Sequence, residues 1–333
     1  MSVNQRNKQT VWAYWQAVNG RDIDGAARLL HPEVAWHGFQ PLRRLAGSAA
    51  VVSNFWQPLY RAIPDLIRRP YFFIGGHYDD EKFGQGDWTV GTGDFIGTFA
   101  MDWRIGDCLI PASKTTVRFR FGEFCRVTDG KIDEIRIIID LPDLLRQTGV
   151  SLLPPSYGRD MWIPGPLAGD GVCLDEQDSA ESQQTFDLVT AMIFGGINKY
   201  DGEDQASQGL ERFWHDDMVW HGPVGIGTAL GMREFKRNAQ GPIVAAFPDR
   251  YGPGHRARVA EGRFAASTGW PSLVGTHVNP YMGWPPTGER IGWNIMDFWK
   301  RRGQKLAENW VMIDLIGAGL ASGVDLLEPL RSA

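Results

Sequence analysis

Apolar residues recur along this chain with two periods, and both halves run through those periods in the same order. Near the start, Val11, Trp15 and Val18 are spaced like one face of a helix, and the spacing returns at Phe186, Val189, Ile193 and Ile197. A second short helix is predicted just before residue 31 and another just before residue 215. Gly47 and Gly231 then precede a longer helix, in which Val51, Phe55, Leu59 and Ile63 repeat every four positions. Beyond Pro64 and Pro248 the period falls to two. In TTVRFRFGEFCRV (115–127), Val117, Phe119 and Phe121 alternate with Arg118 and Arg120, the pattern of a half-buried strand. Asp129-Gly130 predicts a tight hairpin, and Gly303 marks the equivalent turn. Each half therefore reads as helices followed by an antiparallel sheet, the α+β class.

The halves also match residue by residue. HPEVAWHG (31–38) returns as HDDMVWHG (215–222), 184 positions later, and Gly47, Pro64 and Asp65 recur at the same offset as Gly231, Pro248 and Asp249. Further on the offset is 174, pairing Glu134 with Glu308 and Ile139-Asp140-Leu141 with Ile313-Asp314-Leu315. A loop trimmed in the second copy accounts for the change. Two homologous domains follow, roughly 5–150 and 183–330, joined by a linker (151–182) whose Pro154, Pro155, Pro164 and Pro166, with glycines and then acids, oppose regular structure.

Composition narrows the classes. Of 333 residues, 43 % are hydrophobic and 22 % charged, which suits a globular protein. A net charge of −5 with no basic stripe argues against nucleic acid. The three cysteines form no CxxC, the first residues hold no apolar leader segment, and no run of about 18 apolar residues predicts a membrane span. The expected compartment is a reducing cytoplasm.

The motifs GTHVNPYMGWPPTGERIGW (275–293), ENWVMIDLIG (308–317) and DLPDLLRQTGV (140–150) resemble the SnoaL-like polyketide cyclases, within the nuclear-transport-factor-2-like superfamily. The resemblance implies two tandem cone-shaped domains, each a curved antiparallel sheet around about three helices and a deep apolar pocket. It also implies pairing through the sheets, here as an intramolecular pseudo-dimer, with further oligomerisation possible.

Asp314 heads the candidate site. Glu308, Trp310, Met312 and Asp314 share one strand face, so an aromatic ring and a thioether should surround the carboxyl and raise its pKa. The resemblance gives an Asp at this place the role of general acid/base; the competing expectation is a cap for the helix that follows. Asp140 is its counterpart, with Arg136 where the second copy has Trp310, and capping is more attractive there because Pro142 follows. His221 and His37 could bond a substrate oxygen or sit satisfied in the core, beside Trp220 and Trp36 as pocket walls or core anchors. His277 has Phe99 in its place in the first copy, and the resemblance makes it a pocket residue. No metal is expected, since no HExxH or local ligand set occurs, and GxGxxxG at Gly225, Gly227 and Gly231 is one residue too long for a dinucleotide fingerprint. The reading is cofactor-independent acid/base chemistry (aldol cyclisation, isomerase or lyase) on a hydrophobic, carbonyl-rich small molecule, with Asp314→Asn expected to abolish turnover. A non-catalytic binding protein, or an epoxide hydrolase or dehydratase of the same fold, are the alternatives.

Overall fold

The computed structural model describes residues 1–331. The first domain runs α1 (Val3–Asn19), α2 (Ile23–Leu29), β1 (Leu30–His37), β2 (Arg44–Ala46), α3 (Ser48–Val51), α4 (Gln57–Ala62), β3 (Ile67–Asp80), β4 (Gly84–Thr98), β5 (Trp103–Ile105), β6 (Cys108–Ile110), β7 (Thr116–Thr128), β8 (Lys131–Ile139) and α5 (Leu141–Gln147). The second repeats the order with α6 (Ser179–Gly195), β9 (Trp214–His221), β10 (Thr228–Leu230), α7 (Gly231–Glu234), α8 (Gly241–Ala246), β11 (Ala257–Glu261), β12 (Phe264–Thr276), β13 (Arg290–Arg302), β14 (Lys305–Ile313) and α9 (Leu315–Ala321). Short 3-10 turns at Gln205–Gln208 and Leu210–Arg212 stand where the first domain has α2.

The long helix predicted after each glycine forms, but with a π-helical middle: Val52–Trp56 joins α3 to α4, and Phe235–Gln240 joins α7 to α8. In both copies a proline, Pro58 or Pro242, follows this stretch. Proline has no N–H to return to the preceding turn, and the widened turn absorbs that loss. Val51, Phe55, Leu59 and Ile63 all bury against the sheet.

The sheets have matching strand orders, β2-β1-β8-β7-β4-β3 and β10-β9-β14-β13-β12-β11. They are not antiparallel throughout. β1 runs parallel to β8, and β9 parallel to β14, because these strands come from opposite ends of each domain and need no hairpin. Register shifts between Pro70 and Phe72 and between Gly269 and Leu273 add bulges that bend the long strands around the helices. The Asp129-Gly130 turn has both residues in the left-handed region, as a two-residue hairpin of this twist requires.

The outer faces of the two sheets pack on each other. Phe72, Ile74, Phe124 and Ile138 of the first domain join Val259, Phe264, Met296, Phe298, Trp310 and Met312 of the second in one buried cluster. Gly122 allows the closest approach: a Cβ there would stand 3.0 Å from Met312 Cγ. A buried pair, Lys8 Nζ to Glu261 Oε1 at 2.5 Å, ties α1 to β11. The connection after α5 is held to both domains, through the bridges Arg159–Thr228 and Val172–Phe73. This packing explains why the strand of alternating Val117, Phe119 and Phe121 is buried on both sides. Its Arg120 faces the other domain, not water.

Candidate active site

Inside the second domain, between the concave face of its sheet and its helices, lies a cavity of about 140 Å³. Its wall is mostly apolar, with Ile193, Trp214, Trp220, Phe235, Tyr281 and Trp299 contributing. Engineered apolar cavities of about 150 Å³ admit a benzene ring, so this space suits one ring before any side chain moves.

Asp297, on β13, is the carboxylate among the residues lining that cavity. It is in phase with Ile295 and Trp299, which line the cavity too, and its strand partners are Ser267 on β12 and Val311 on β14. The nearest donor to it is Asn309 Nδ2, 3.5 Å from Oδ1 and also bonded to the Phe298 carbonyl at 3.1 Å. Burial pushes the Asp297 carboxyl up to about 7, against a small lowering by Asn309, and no cation offsets it. A carboxyl in this state exchanges a proton near neutral pH.

His255 lines the same cavity. Arg258 Nη1 stands 3.1 Å from its Nδ1. A guanidinium only donates, so Nδ1 accepts and the ring proton rests on Nε2. Burial first, then Arg258, lowers the His255 pKa to about 3 and keeps the ring neutral. The cavity thus combines a carboxyl poised near neutrality with a neutral imidazole and the Ser267 hydroxyl.

The residues singled out in the sequence are placed differently. Glu308, Trp310, Met312 and Asp314 do share a strand face, but it is the outer one. Trp310 and Met312 belong to the interdomain cluster, with Trp310 Nε1 donating to the Pro164 carbonyl at 2.8 Å, and Glu308 lies 3.6 Å from Lys300. The cavity is lined by the alternate set, Asn309, Val311 and Ile313. Asp314 caps α9 through Gly317 N at 3.0 Å. Burial raises it to about 6, while N–H bonds from Gly317 and Gln40 and the charge of Arg43 hold it down. It borders a separate polar cleft between the domains, with His37, Arg43 and Arg44. Asp140 is raised by burial and opposed by Arg120, whose Nη2 lies 3.2 Å from Oδ2. No side-chain bond from Asp140 caps its helix.

Of the histidines, His221 stacks on Trp310 at 5.7 Å, His277 stacks on Phe247 at 4.9 Å, and His37 stands 4.0 Å from Glu134. None of the three lines the apolar cavity. Trp36 packs between Phe39 and Phe55 in the first domain's core. Trp220 is the one predicted residue on the cavity wall, seated against Phe235. No group of three or more His, Cys, Asp or Glu that could hold a metal occurs among the described residues.

The first domain carries Glu123 at the position equivalent to Asp297, 174 residues earlier. There the surrounding space is filled. Trp15 Nε1 donates to Glu123 Oε1 at 2.7 Å, Arg68 Nη2 to Oε2 at 2.8 Å, and the Arg68 guanidinium lies 4.5 Å from the rings of both Trp15 and Phe121. An acid held this way is spent on structure.

A family model described as SnoaL-like polyketide cyclase matches residues 8–148 and 200–320. The chain belongs to the SnoaL-like polyketide cyclase family. It carries two tandem copies of the SnoaL-like domain. Among solved structures, it is similar to IdmH of Streptomyces antibioticus, described as a candidate polyketide cyclase, at 18 % identity over 43 % of this chain and 99 % of that one, TM-score 0.36. A candidate polyketide cyclase from Xanthomonas campestris pv. campestris is 24 % identical over 44 % and 99 %, TM-score 0.35. A candidate SnoaL-like polyketide cyclase from Jannaschia sp. CCS1 is 16 % identical over 46 % and 97 %, TM-score 0.37. No curated protein matches this SnoaL-like chain. Among the described residues, no helix is long and apolar enough to cross a membrane.

Asp297 and His255 went unnoticed in the sequence, although a signal for the first was there. In RIGWNIMDFWKRR, every second residue from Ile291 reads Ile, Trp, Ile, Asp, Trp, so one acid interrupts an apolar stripe. The first copy repeats the interruption with Glu123 after Val117, Phe119 and Phe121. For His255, on a loop before β11, the pattern offers no cue.

Proposed function

We propose that this protein is an acid/base enzyme of the cyclase type, working in the second domain on a carbonyl-bearing small molecule, with Asp297 as the group that moves the proton. The observation that carries this reading is a carboxyl enclosed in an apolar cavity without a cationic partner. In its ionised form Asp297 removes a proton from a carbon flanked by carbonyls, and it returns the proton as acid after the new bond has formed or the double bond has moved. His255, through its Nε2–H, and Ser267 supply donors for the oxygen on which charge develops. General acid–base catalysis contributes about 10²–10⁴-fold. That range suffices for a carbon already acidified by two carbonyls and falls short for an ordinary C–H. The substrate therefore brings its own acidity, as a poly-β-ketone does.

Among the described residues the lining holds a single carboxylate, so water activation by two acids, as in an epoxide hydrolase of this fold, is disfavoured. The test is hydrogen–deuterium exchange at the central carbon of an aryl 1,3-diketone, followed by NMR with the full chain. Asp297→Asn should slow the enzyme-dependent exchange at least about 100-fold while circular dichroism stays unchanged. Unchanged exchange in a folded Asp297→Asn protein would rule the assignment out.

A further inference from the structure

The same cavity holds a charge that proton transfer at Asp297 does not use. Arg250 is only 5 % exposed and lines the cavity. Among the described residues its side chain makes one hydrogen bond, from Nη2 to Gln240 Oε1 at 2.7 Å; the guanidinium lies 5.7 Å from the Tyr200 ring, and its buried Nε has no partner. Among the described residues, no carboxylate lies within ion-pair distance of it. The adjacent Asp249 is turned away and accepts from Thr276 N and Oγ1, both at 2.7 Å. Asp297 is not its counterion either, since nothing cationic contributes to the raised state of that acid.

A cation buried without a counterion is costly, and proteins complete such a group with an anion or dispense with it. Here Gln240, a neutral acceptor, orients the fork without neutralising it. The first domain makes the contrast. Leu66 stands at the position equivalent to Arg250, 184 residues earlier, in the domain whose own interior is filled by Trp15 and Arg68. The unpaired cation therefore accompanies the open cavity and is missing where the cavity is closed.

We infer that the second domain's cavity selects an anionic ligand, a compact ring-bearing carboxylate, with the carboxylate held by Arg250. Arg250 acts as a specificity-determining residue: a planar fork matches a carboxylate bidentately. The orientation rests on the reading of Asp297 as base, because a carboxylate anchored at Arg250 leaves the rest of the molecule to reach Asp297. The anion preference itself does not depend on that reading.

The probes are benzoate and its neutral isostere benzyl alcohol, titrated into the full chain by isothermal calorimetry. Wild-type protein should bind benzoate at least tenfold more tightly than benzyl alcohol. Arg250→Gln should bring the two within about twofold, Arg250→Lys should keep part of the preference, and Asp297→Asn should keep all of it. Ile193→Trp, which fills the cavity and leaves Arg250 in place, should abolish benzoate binding. Equal affinities in the wild type, no benzoate binding at all, a preference that survives Arg250→Gln, or benzoate binding that survives Ile193→Trp would each overturn the inference. Should Arg250→Gln fail to fold, the Ile193→Trp protein and the wild-type ratio decide it alone. Loss of proton exchange in Asp297→Asn bears only on the acid/base reading, so the two can fail separately.

Discussion

Asp140 in the first domain accepts the backbone N–H of Val224 in the second at 3.3 Å, and from the other side the Gln40 backbone faces Asp314 across the cleft and holds its carboxyl down. Gln40 and Val224 are equivalent positions, 184 apart, just as Asp140 and Asp314 are equivalent positions, 174 apart. The two aspartates are thus related by the pseudo-twofold axis of the chain, and each fastens its own domain to its neighbour. Their raised pKa values come from burial at this interface.

The first prediction concerns that clasp. Asp140→Asn leaves the buried Arg120 charge opposite neutral acceptors alone among the described residues, the new amide oxygen and the His221 and Gly222 carbonyls. Breaking a buried pair by removing one partner costs about 3–5 kcal/mol. Urea unfolding should show a loss in that range. Asp314→Asn keeps an acceptor for the Gly317 N–H, since Asn caps about as well as Asp, and should keep turnover within a few-fold of wild type. Abolished turnover in a well-folded Asp314→Asn protein would return the catalytic role to the interface acid.

The second prediction is a pH profile. The Asp297 carboxyl is raised from 3.8 to about 7. Its folded-state value exceeds the unfolded one, so between them the folded chain holds the extra proton and stability falls as pH rises. The loss is complete above about 7 and amounts to about 4 kcal/mol at 1.36 kcal/mol for each pH unit. Asp297→Asn should be more stable than wild type at pH 8 and equal to it near pH 3.5, by thermal melting. Wild-type kcat/KM for diketone exchange should rise with pH through about 7, since the base must be ionised.

The third exchanges the contents of the two domains. Trp15 fills the first domain's interior, and Trp15→Ala should cost about 3–5 kcal/mol through the cavity it leaves. In the second domain Ile193 already borders empty space. Ile193→Trp should therefore melt within a few degrees of wild type. A collapse in melting temperature would mean that the cavity is not the free space described.

The fourth concerns acid. Burial, helped by Arg120, lowers the His221 pKa from 6.5 to about 3, and burial lowers His255 to about 3 as well. Here the folded value is depressed, so the unfolded chain binds protons first and stability drops as pH falls from about 6.5 toward 3. His221→Phe keeps the stacking on Trp310 and removes the titration. Its unfolding free energy should vary less between pH 7 and pH 4 than that of wild type.

The duplication, the element order and the stripe of helix residues could all be read in the chain, because each is a local period or a repeated string. The grouping of Trp310, Met312 and Asp314 on one strand face was legible as well. Which side of the sheet that face occupies was not, since alternation gives two sets and both are apolar here: one faces the cavity, the other the neighbouring domain. Trp36 and Trp220 illustrate the same limit. They occupy equivalent positions in the repeated string, yet one is core and the other cavity wall. The difference lies in what other segments place beside them. Arg68 and Trp15 close one interior; Ile193 leaves the other open.

In a symmetric homodimer every substitution is made twice, so a residue that plugs one interior plugs both. Two copies on one chain are free of that constraint. The position occupied by Glu123 and Asp297 can hold an ion-paired acid on one side and a titrating one on the other, and a change at either leaves its counterpart untouched. A variant of the first domain therefore reads out rigidity, while the matching variant of the second reads out a buried titrating acid, each against an unaltered counterpart in the same chain.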